Sequence, residues 1–227
     1  MGLVAPASPW SLPAIVGRVR DRLAQPLPGL DAQRRMAPQP RVGWRPADLP
    51  TDARNAAALL LLYPSRDEAH LALTVRAAHL PHHAGQVSLP GGAVEPGERI
   101  EDAALRETAE ELGIDTSLVT LVGRLTPLHI PVSGFVLHPV VATAPVRPAF
   151  VPDTNEVARV IDASVAELCE PLAVRVRIRR HEGRDYEVPY FVVDGEAVWG
   201  ATAMVLAEFL ALLGRAPFRP VSPAKDD

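Results

Sequence analysis

The stretch from Gly92 to Ile114, GAVEPGERIEDAALRETAEELGI, decides how the rest of the chain is read. Its second half, Ile100 to Leu112, has the apolar periodicity of a helix and stops at Gly113, a residue suited to a left-handed C-cap. On that helix Glu107, Glu110 and Glu111 fall at i, i+3 and i+4 and share one face of about 100° of arc, opposite Leu105, Thr108 and Leu112. Three like charges repel, and two of them lie toward the C-terminal end, where the helix dipole disfavours anions. A solvated acidic face tolerates that arrangement. A bound divalent cation reverses its sign, because Mg²⁺ and Mn²⁺ take hard carboxylate oxygens. Upstream, Gly91 and Gly92 allow the backbone to approach a metal or phosphate closely.

Composition narrows the frame around this segment. The chain has 227 residues, 23 Lys+Arg against 27 Asp+Glu for a net charge of −4, and 48% hydrophobic residues. That is enough for one packed domain with an appendage, and it disfavours both wholesale disorder and a strongly basic nucleic-acid binder. The acidity is local. Glu95 to Glu111 holds seven of the acids and two of the bases, so the remainder is close to neutral, and an anionic nucleotide is acceptable once a cation is bound. The longest apolar run, Ala56 to Tyr63, has 8 residues, against about 20 needed to cross a bilayer, so no membrane span is expected. Met1 to Trp10 lacks the basic start of a secretory leader, and the single cysteine, Cys169, cannot form an internal disulfide; both point to a cytoplasmic protein.

Nine of the 24 prolines precede Asn55. They bracket one predicted helix, Leu12 to Gln25, capped by Ser11 with Pro13 in its first turn, and the rest of residues 1–54 reads as an extended arm. Ala56 to Tyr63 and Leu71 to Val75 suggest a hairpin with one deeply buried strand, and Gln86 to Leu89 a short third strand. Further strands are expected at 118–125, 135–143, 157–161, 174–180 and 186–193, with a helical turn at 165–169. An amphipathic helix at 201–213 and a frayed tail at 216–227 complete the chain. Hairpins interspersed with helices give an α+β or layered α/β/α domain over 55–215. His129, His138 and Trp44 read as structural residues, and Trp199 as an anchor for the last helix.

Taken together, Gly92, Glu98, Arg106-Glu107, Glu110-Glu111 and Gly113-Ile114 match the Nudix box, G-x5-E-x7-R-E-U-x-E-E-x-G-U, with Thr108 in a slot usually filled by a larger apolar residue. Such a coincidence is expected in roughly one of a million chains of ordinary composition. The resemblance implies a Nudix-type α/β/α sandwich with a mixed β-sheet, and hydrolysis of a nucleoside diphosphate derivative by water at one phosphorus. It implies Glu107, Glu110 and Glu111 as ligands of Mg²⁺ or Mn²⁺, with Gly92 close to the metal and Glu98 paired to Arg106 to brace the loop. The general base is left between Glu107 and Glu156, the latter in a segment similar to the family's later loop.

Leu73-Thr74-Val75-Arg76, Gly85 and Leu89-Pro90-Gly91-Gly92 resemble the signature of the coenzyme A pyrophosphatases, LLT-x-RS-x3-R-x3-G-x3-FPGG. Ala72, Ala77, Pro81 and Leu89 depart from it, and Pro81 replaces an arginine whose bidentate phosphate contact a neutral ring cannot supply. The resemblance implies cleavage of coenzyme A or acyl-coenzyme A to 3′,5′-ADP and (acyl-)4′-phosphopantetheine, with Arg76, His82, His83 and Gly91 on the substrate. Hydrolysis of ADP-ribose, NADH or a nucleoside triphosphate is the alternative that Pro81 keeps open, and a nucleotide-binding Nudix domain without turnover is another. Arg175, Arg177 and Arg179 alternate on one strand face, as a phosphate contact or as a solvated edge. The arm is left covering either its own domain or a second copy in a homodimer.

Overall fold

The structure, a computed structural model, describes residues 8–40, 49–81, 83–181 and 183–215. Trp44, His82 and the tail at 216–227 lie outside the described residues.

The apolar run becomes the centre of the molecule. Strand β1 (Arg54–Ser65) turns through Arg66 and Asp67, both at positive φ, into antiparallel β2 (Glu68–Arg76). That two-residue turn twists with the hand of the flanking strands. On its other side β1 runs parallel to β7 (Phe135–Thr143), pairing Arg54 with Phe135 through to Leu62 with Thr143. A strand flanked by neighbours and covered on both faces alternates between two cores, which is why it reads as continuously apolar. Leu60 and Leu62 enter one hydrophobic cluster, and Leu59, Leu61 and Tyr63 the other.

Short strands β3 (Val87–Ser88) and β4 (Gly91–Ala93) pair with β2 and β1, β5 (Thr120–Arg124) and β6 (Leu128–Ile130) pair with β7, and β8 (Val157–Ser164) pairs with β2. This eight-stranded mixed sheet carries α3 (Ile100–Leu112) on one face through Ala103, Ala104 and Leu112. The other face carries α5 (Gly200–Leu212), α1 (Leu12–Leu23) and a three-stranded sheet of β9 (Val174–His181), β10 (Arg184–Val193) and β11 (Glu196–Trp199). The single turn α4 (Val165–Leu168) follows β8. The fold is α+β with a central mixed sheet between helices. Among the described residues no helix is long and apolar enough to cross a membrane.

Three expectations change. The arm after α1 is not extended: α2 (Gly29–Gln33) and a 3₁₀ turn at Arg34–Met36 follow, and Gln33 and Met36 are fully buried. Ser11 occupies the N-cap of α1, but its side chain makes no capping hydrogen bond. Helix α5 is not amphipathic, because the arm covers the side that would otherwise face water; ten of its 13 residues are buried, Glu208 among them. The Glu208 carboxylate accepts hydrogen bonds from Gly29 N (3.2 Å), Gln33 Nε2 (2.8 Å), Thr126 N (3.2 Å) and Thr126 Oγ1 (2.6 Å), which ties arm, loop and helix together. Farther along the arm, Gln39 and Glu187 exchange backbone hydrogen bonds of 2.9 and 2.8 Å, hooking it to β10.

A polar junction holds β8 to the hairpin. Asp162 accepts from Tyr63 Oη (2.9 Å), Ser65 Oγ (3.3 Å) and Arg147 Nε (3.0 Å), and lies 2.8 Å from His70 Nδ1 at an angle outside hydrogen-bonding geometry. Burial by itself raises its pKa, but Arg147, Tyr63 and His70 outweigh burial and hold the carboxyl below its ordinary value. A carboxyl lowered in the folded state stabilises above its unfolded pKa of about 3.9 and stops doing so as pH falls through the folded value. Asp162→Asn is therefore expected to cost about 1–2 kcal/mol at pH 7, with the gap to the parent closing below about pH 4. Thermal melts of both proteins across pH 2.5–7 (about 0.5 pH apart) check this; a gap independent of pH contradicts it.

Candidate active site

The box folds as its spacing demands. Gly113 takes the left-handed conformation (φ 62°), its N–H bonds Ala109 O at 2.9 Å, and a Cβ there would collide with the Val151 carbonyl. Thr108, the polar residue in an apolar slot, is fully buried with its hydroxyl satisfied by Ala104 O at 2.6 Å, so the slot costs no orphaned donor.

Strand β4 lies antiparallel on β1, with Gly91 opposite Ala58 and Gly92 opposite Ala57. A Cβ on Gly91 would overlap the Ala57 carbonyl, and one on Gly92 would overlap the Glu107 carboxylate. The two glycines serve different ends. Gly91 lets two strands touch, and Gly92 lets an acid of α3 rest against the main chain. Gly92→Ala is expected to push the flexible Glu107 carboxylate aside without moving a strand, lowering kcat about 100-fold while Tm changes little. Steady-state kinetics beside a thermal melt check it, and unchanged kcat contradicts it.

Arg106 organises the acidic cluster. Its guanidinium grips Glu98 with two bonds, Nε–Oε1 at 2.9 Å and Nη2–Oε2 at 3.1 Å. The same group reaches Glu107 Oε1 at 2.8 Å, Glu110 Oε2 at 3.2 Å and the Ala93 carbonyl at 3.1 Å. Glu98 also accepts from Glu95 N, so loop and helix are locked together. The hydrogen bond from Arg106 holds Glu98 below the usual carboxylate range, and Glu98 in turn raises Arg106.

The three acids of the face have different surroundings. Glu110 is exposed. Glu107 is half-buried, and burial raises its pKa against the pull of Arg106. Glu111 is only 4% exposed, takes a 3.3 Å hydrogen bond from Gly91 N, and is pushed up to about 7 by burial, against that bond and with the charges of Glu156 and Glu107 adding to the rise. Among the described residues no three His, Cys, Asp or Glu side chains already converge as a metal cage. Buried Glu111 and half-buried Glu107 beside Gly92 nevertheless fit a hard divalent cation, which would supply the counter-charge that Glu111 lacks.

Glu156 is brought in from a distant part of the chain. Asp153 N bonds Glu111 O (3.0 Å), Glu156 N bonds Asp153 O (3.0 Å), and Ala77 N bonds Glu156 O (2.8 Å). This turn holds Glu156 where its charge acts on both Glu107 and Glu111.

Beside the glycines opens a cleft of about 600 Å³. Its lining includes the polar or glycine residues Arg76, His83, Gln86, Ser88, Gly91 and Gly92. Apolar Leu128, Ile130, Leu137 and Met204 also line it, with Pro38 and Pro40 of the arm, Tyr186 and Trp199. Arg76 Nε is buried without a hydrogen-bond partner, and Arg76 acts electrostatically on Glu111. His83, at φ 58°, holds its ring at 3.0 Å from Gln86 Oε1. Trp199, at the N-cap of α5 beside fully buried Val198, also lines the cleft and lies beneath Arg177 and Arg179. Pro38, Pro40 and Tyr186 escaped the sequence reading, since only long-range packing brings arm and β10 to the cleft. Elsewhere, His138 Nε2 contacts Asn55 Oδ1 at 2.9 Å, and Cys169 is half-buried with its thiol pushed up to about 11 by burial.

The acidic face of α3, the glycines of β4 and the adjacent cleft together form the candidate site. The NUDIX domain family model matches residues 53–183. Nudix hydrolase NudL of Yersinia pestis (strain Pestoides F), itself described as uncharacterized, is 34% identical over 151 residues, 66% of this chain and 75% of the relative. Among solved structures, the M. smegmatis Nudix hydrolase RenU aligns at 28% identity over 48% of this chain and 68% of its own, with a TM-score of 0.42. The MutT protein of Methanosarcina mazei Go1 aligns at 15% identity over 74% and 97%, with a TM-score of 0.46. The chain belongs to the Nudix hydrolase family, enzymes that act on pyrophosphate bonds of nucleotide derivatives and generally use divalent metal ions such as Mg²⁺ or Mn²⁺.

Proposed function

We propose that this enzyme hydrolyses coenzyme A or an acyl-coenzyme A to 3′,5′-ADP and (acyl-)4′-phosphopantetheine. The observation that carries the reading is the cleft wall. The segment resembling the coenzyme A pyrophosphatase signature supplies Arg76, Leu89, Gly91 and Gly92 to one continuous surface beside Glu107 and Glu111. The apolar residues in the lining suit the pantetheine arm and a short acyl chain. Pro81, which replaces the signature arginine, is exposed and does not line the cleft, while Arg76 offers an unpartnered guanidinium N–H there.

In this reading Glu107, Glu110 and Glu111 hold Mg²⁺ or Mn²⁺ beside Gly92, Arg106 and Glu98 fix the loop, and Arg76, His82, His83 and Gly91 contact the substrate. Bound metal supplies charge neutralisation at the pyrophosphate and a more acidic water. The chain's own residues do the rest. Water adds its oxygen to one phosphorus, the bond from that phosphorus to the bridging oxygen breaks, and the proton passes to a carboxylate. Glu107 and Glu156 are the two candidates to take it; Arg106 bonds Glu107, and the charge of Glu156 acts on Glu107 and Glu111. Desolvation by the apolar wall strengthens each of these contacts.

A panel of coenzyme A, acetyl-coenzyme A, ADP-ribose, NADH and a nucleoside triphosphate, assayed with Mg²⁺ and with Mn²⁺ and resolved by chromatography, tests the substrate. The expected result is 3′,5′-ADP from the first two at the highest kcat/KM. ADP-ribose or the triphosphate cleaved with coenzyme A untouched overturns the substrate and leaves the chemistry.

A further inference from the structure

Strand β9 is an edge strand of the three-stranded sheet, and its arginines are not simply solvated. Arg177 Cζ lies 5.2 Å from the Tyr190 ring centre and 5.6 Å from that of Trp199, and Arg179 Cζ lies 4.6 Å from the same indole. Two guanidinium groups thus share one aromatic side chain. Among the described residues the only ion pair from a β9 arginine is Arg180 to Asp185, at 4.0 Å. Arg177 Nε is buried with no hydrogen-bond partner. Burial, and then the like charge of Arg179, lower the Arg177 pKa, the direction expected of a cation held where an anion is missing. Cation–π contact orients such a pair but leaves its in-plane N–H donors free for a fork of oxygens.

The stack also adjoins the site. Trp199 lines the same cleft as Arg76, Gly91 and Gly92. Thr202 Oγ1 bonds Val87 O at 3.3 Å, which fixes the segment carrying Trp199 against β3, and Arg76 N bonds Gln86 O at 3.0 Å at the start of that strand. Arg177 and Arg179 do not themselves line the cleft, but a ligand lying from the glycines toward Trp199 approaches the indole on which both are stacked.

We propose that Arg177 and Arg179, stacked on Trp199, form a subsite for a phosphomonoester of the substrate, distinct from the pyrophosphate-handling residues. Resting on the coenzyme A reading above, that group is the 3′-phosphate of the adenosine. A planar guanidinium matches a phosphate dianion with paired N–H donors, and the dianion relieves the repulsion between the two arginines.

Calorimetric titration of the full chain with adenosine 3′,5′-bisphosphate and with 5′-AMP tests the subsite without turnover. The parent protein is expected to prefer the bisphosphate by about 10-fold or more, and Arg179→Ala and the Arg177→Ala/Arg179→Ala pair to reduce that ratio toward about 1–2. Arg177→Lys/Arg179→Lys should keep part of the preference, since charge persists while the fork is lost. Arg179 is exposed, so its single variant decides the matter even where the double variant unfolds. No preference in the parent, or a preference that survives in Arg179→Ala, overturns the subsite. A preference present and lost as described, in a protein that leaves coenzyme A intact, keeps the subsite and rejects the substrate. The ratio of kcat/KM for coenzyme A over 3′-dephospho-coenzyme A should fall in parallel.

Discussion

Glu111→Gln is expected to lower kcat by about 10³-fold with the fold intact, because in the proposed site it removes a metal-ligand charge at the most enclosed acid of the helix's acidic face. Glu111 is 4% exposed, and its hydrogen bond comes from Gly91 N, so its carboxylate is desolvated with no cationic hydrogen-bond partner. A neutral isostere keeps an acceptor for Gly91 and deletes a buried charge. The metal-free variant should therefore melt no lower than the parent, and higher at neutral pH, the usual relation when a site is built at the expense of stability. Kinetics with saturating Mg²⁺, paired with melts in a chelator, check both halves. A kcat within tenfold of the parent removes Glu111 from the site, and a large loss of stability means its role is structural. Glu110→Gln provides the contrast, since Glu110 is exposed and its change tests the site with less effect on burial.

Glu208→Ala is expected to cost about 3–5 kcal/mol. The substitution leaves Gly29 N, Gln33 Nε2, Thr126 N and Thr126 Oγ1 without their shared acceptor in a fully buried place. Glu208→Gln retains one oxygen and should cost roughly half as much. The loss spreads to function. With α2 untied, Pro38 and Pro40 no longer hold their side of the cleft, so KM should rise more than kcat falls. Denaturant unfolding at pH 7 and kinetics below the transition check the pair of effects. A cost under about 1 kcal/mol contradicts the account of the arm as an integral wall.

How far the sequence led depends on the range of the interactions concerned. The box helix was legible to the residue, Ile100 to Leu112, because periodicity, the Gly113 cap and the acidic face are all local. The parallel pairing of β1 with β7 was foreshadowed by a strand apolar on both faces, though its partner was not. Strand β4 was hidden because Gly91 and Gly92 read as loop, and β11 because four residues carry little pattern. Helix α2 was hidden for a different reason. Its five residues have little helix-forming strength of their own, and burial of Gln33 against Glu208 stabilises them, a contact across 175 residues. At the site, the Glu98–Arg106 pair was implied by the resemblance to the family's box, and Glu156 could be suspected only from likeness to a family loop. The rest of the cleft's lining required the fold, since nothing local relates Pro38 to Trp199.

Phosphorus NMR of coenzyme A incubated with the protein and Mg²⁺ tests the central claim most directly. The account predicts that the pyrophosphate resonances vanish as two new phosphomonoester resonances grow, those of 3′,5′-ADP and 4′-phosphopantetheine, and that Glu111→Gln abolishes the change. Persistence of the pyrophosphate resonances under conditions where the same sample splits another nucleoside diphosphate derivative contradicts it.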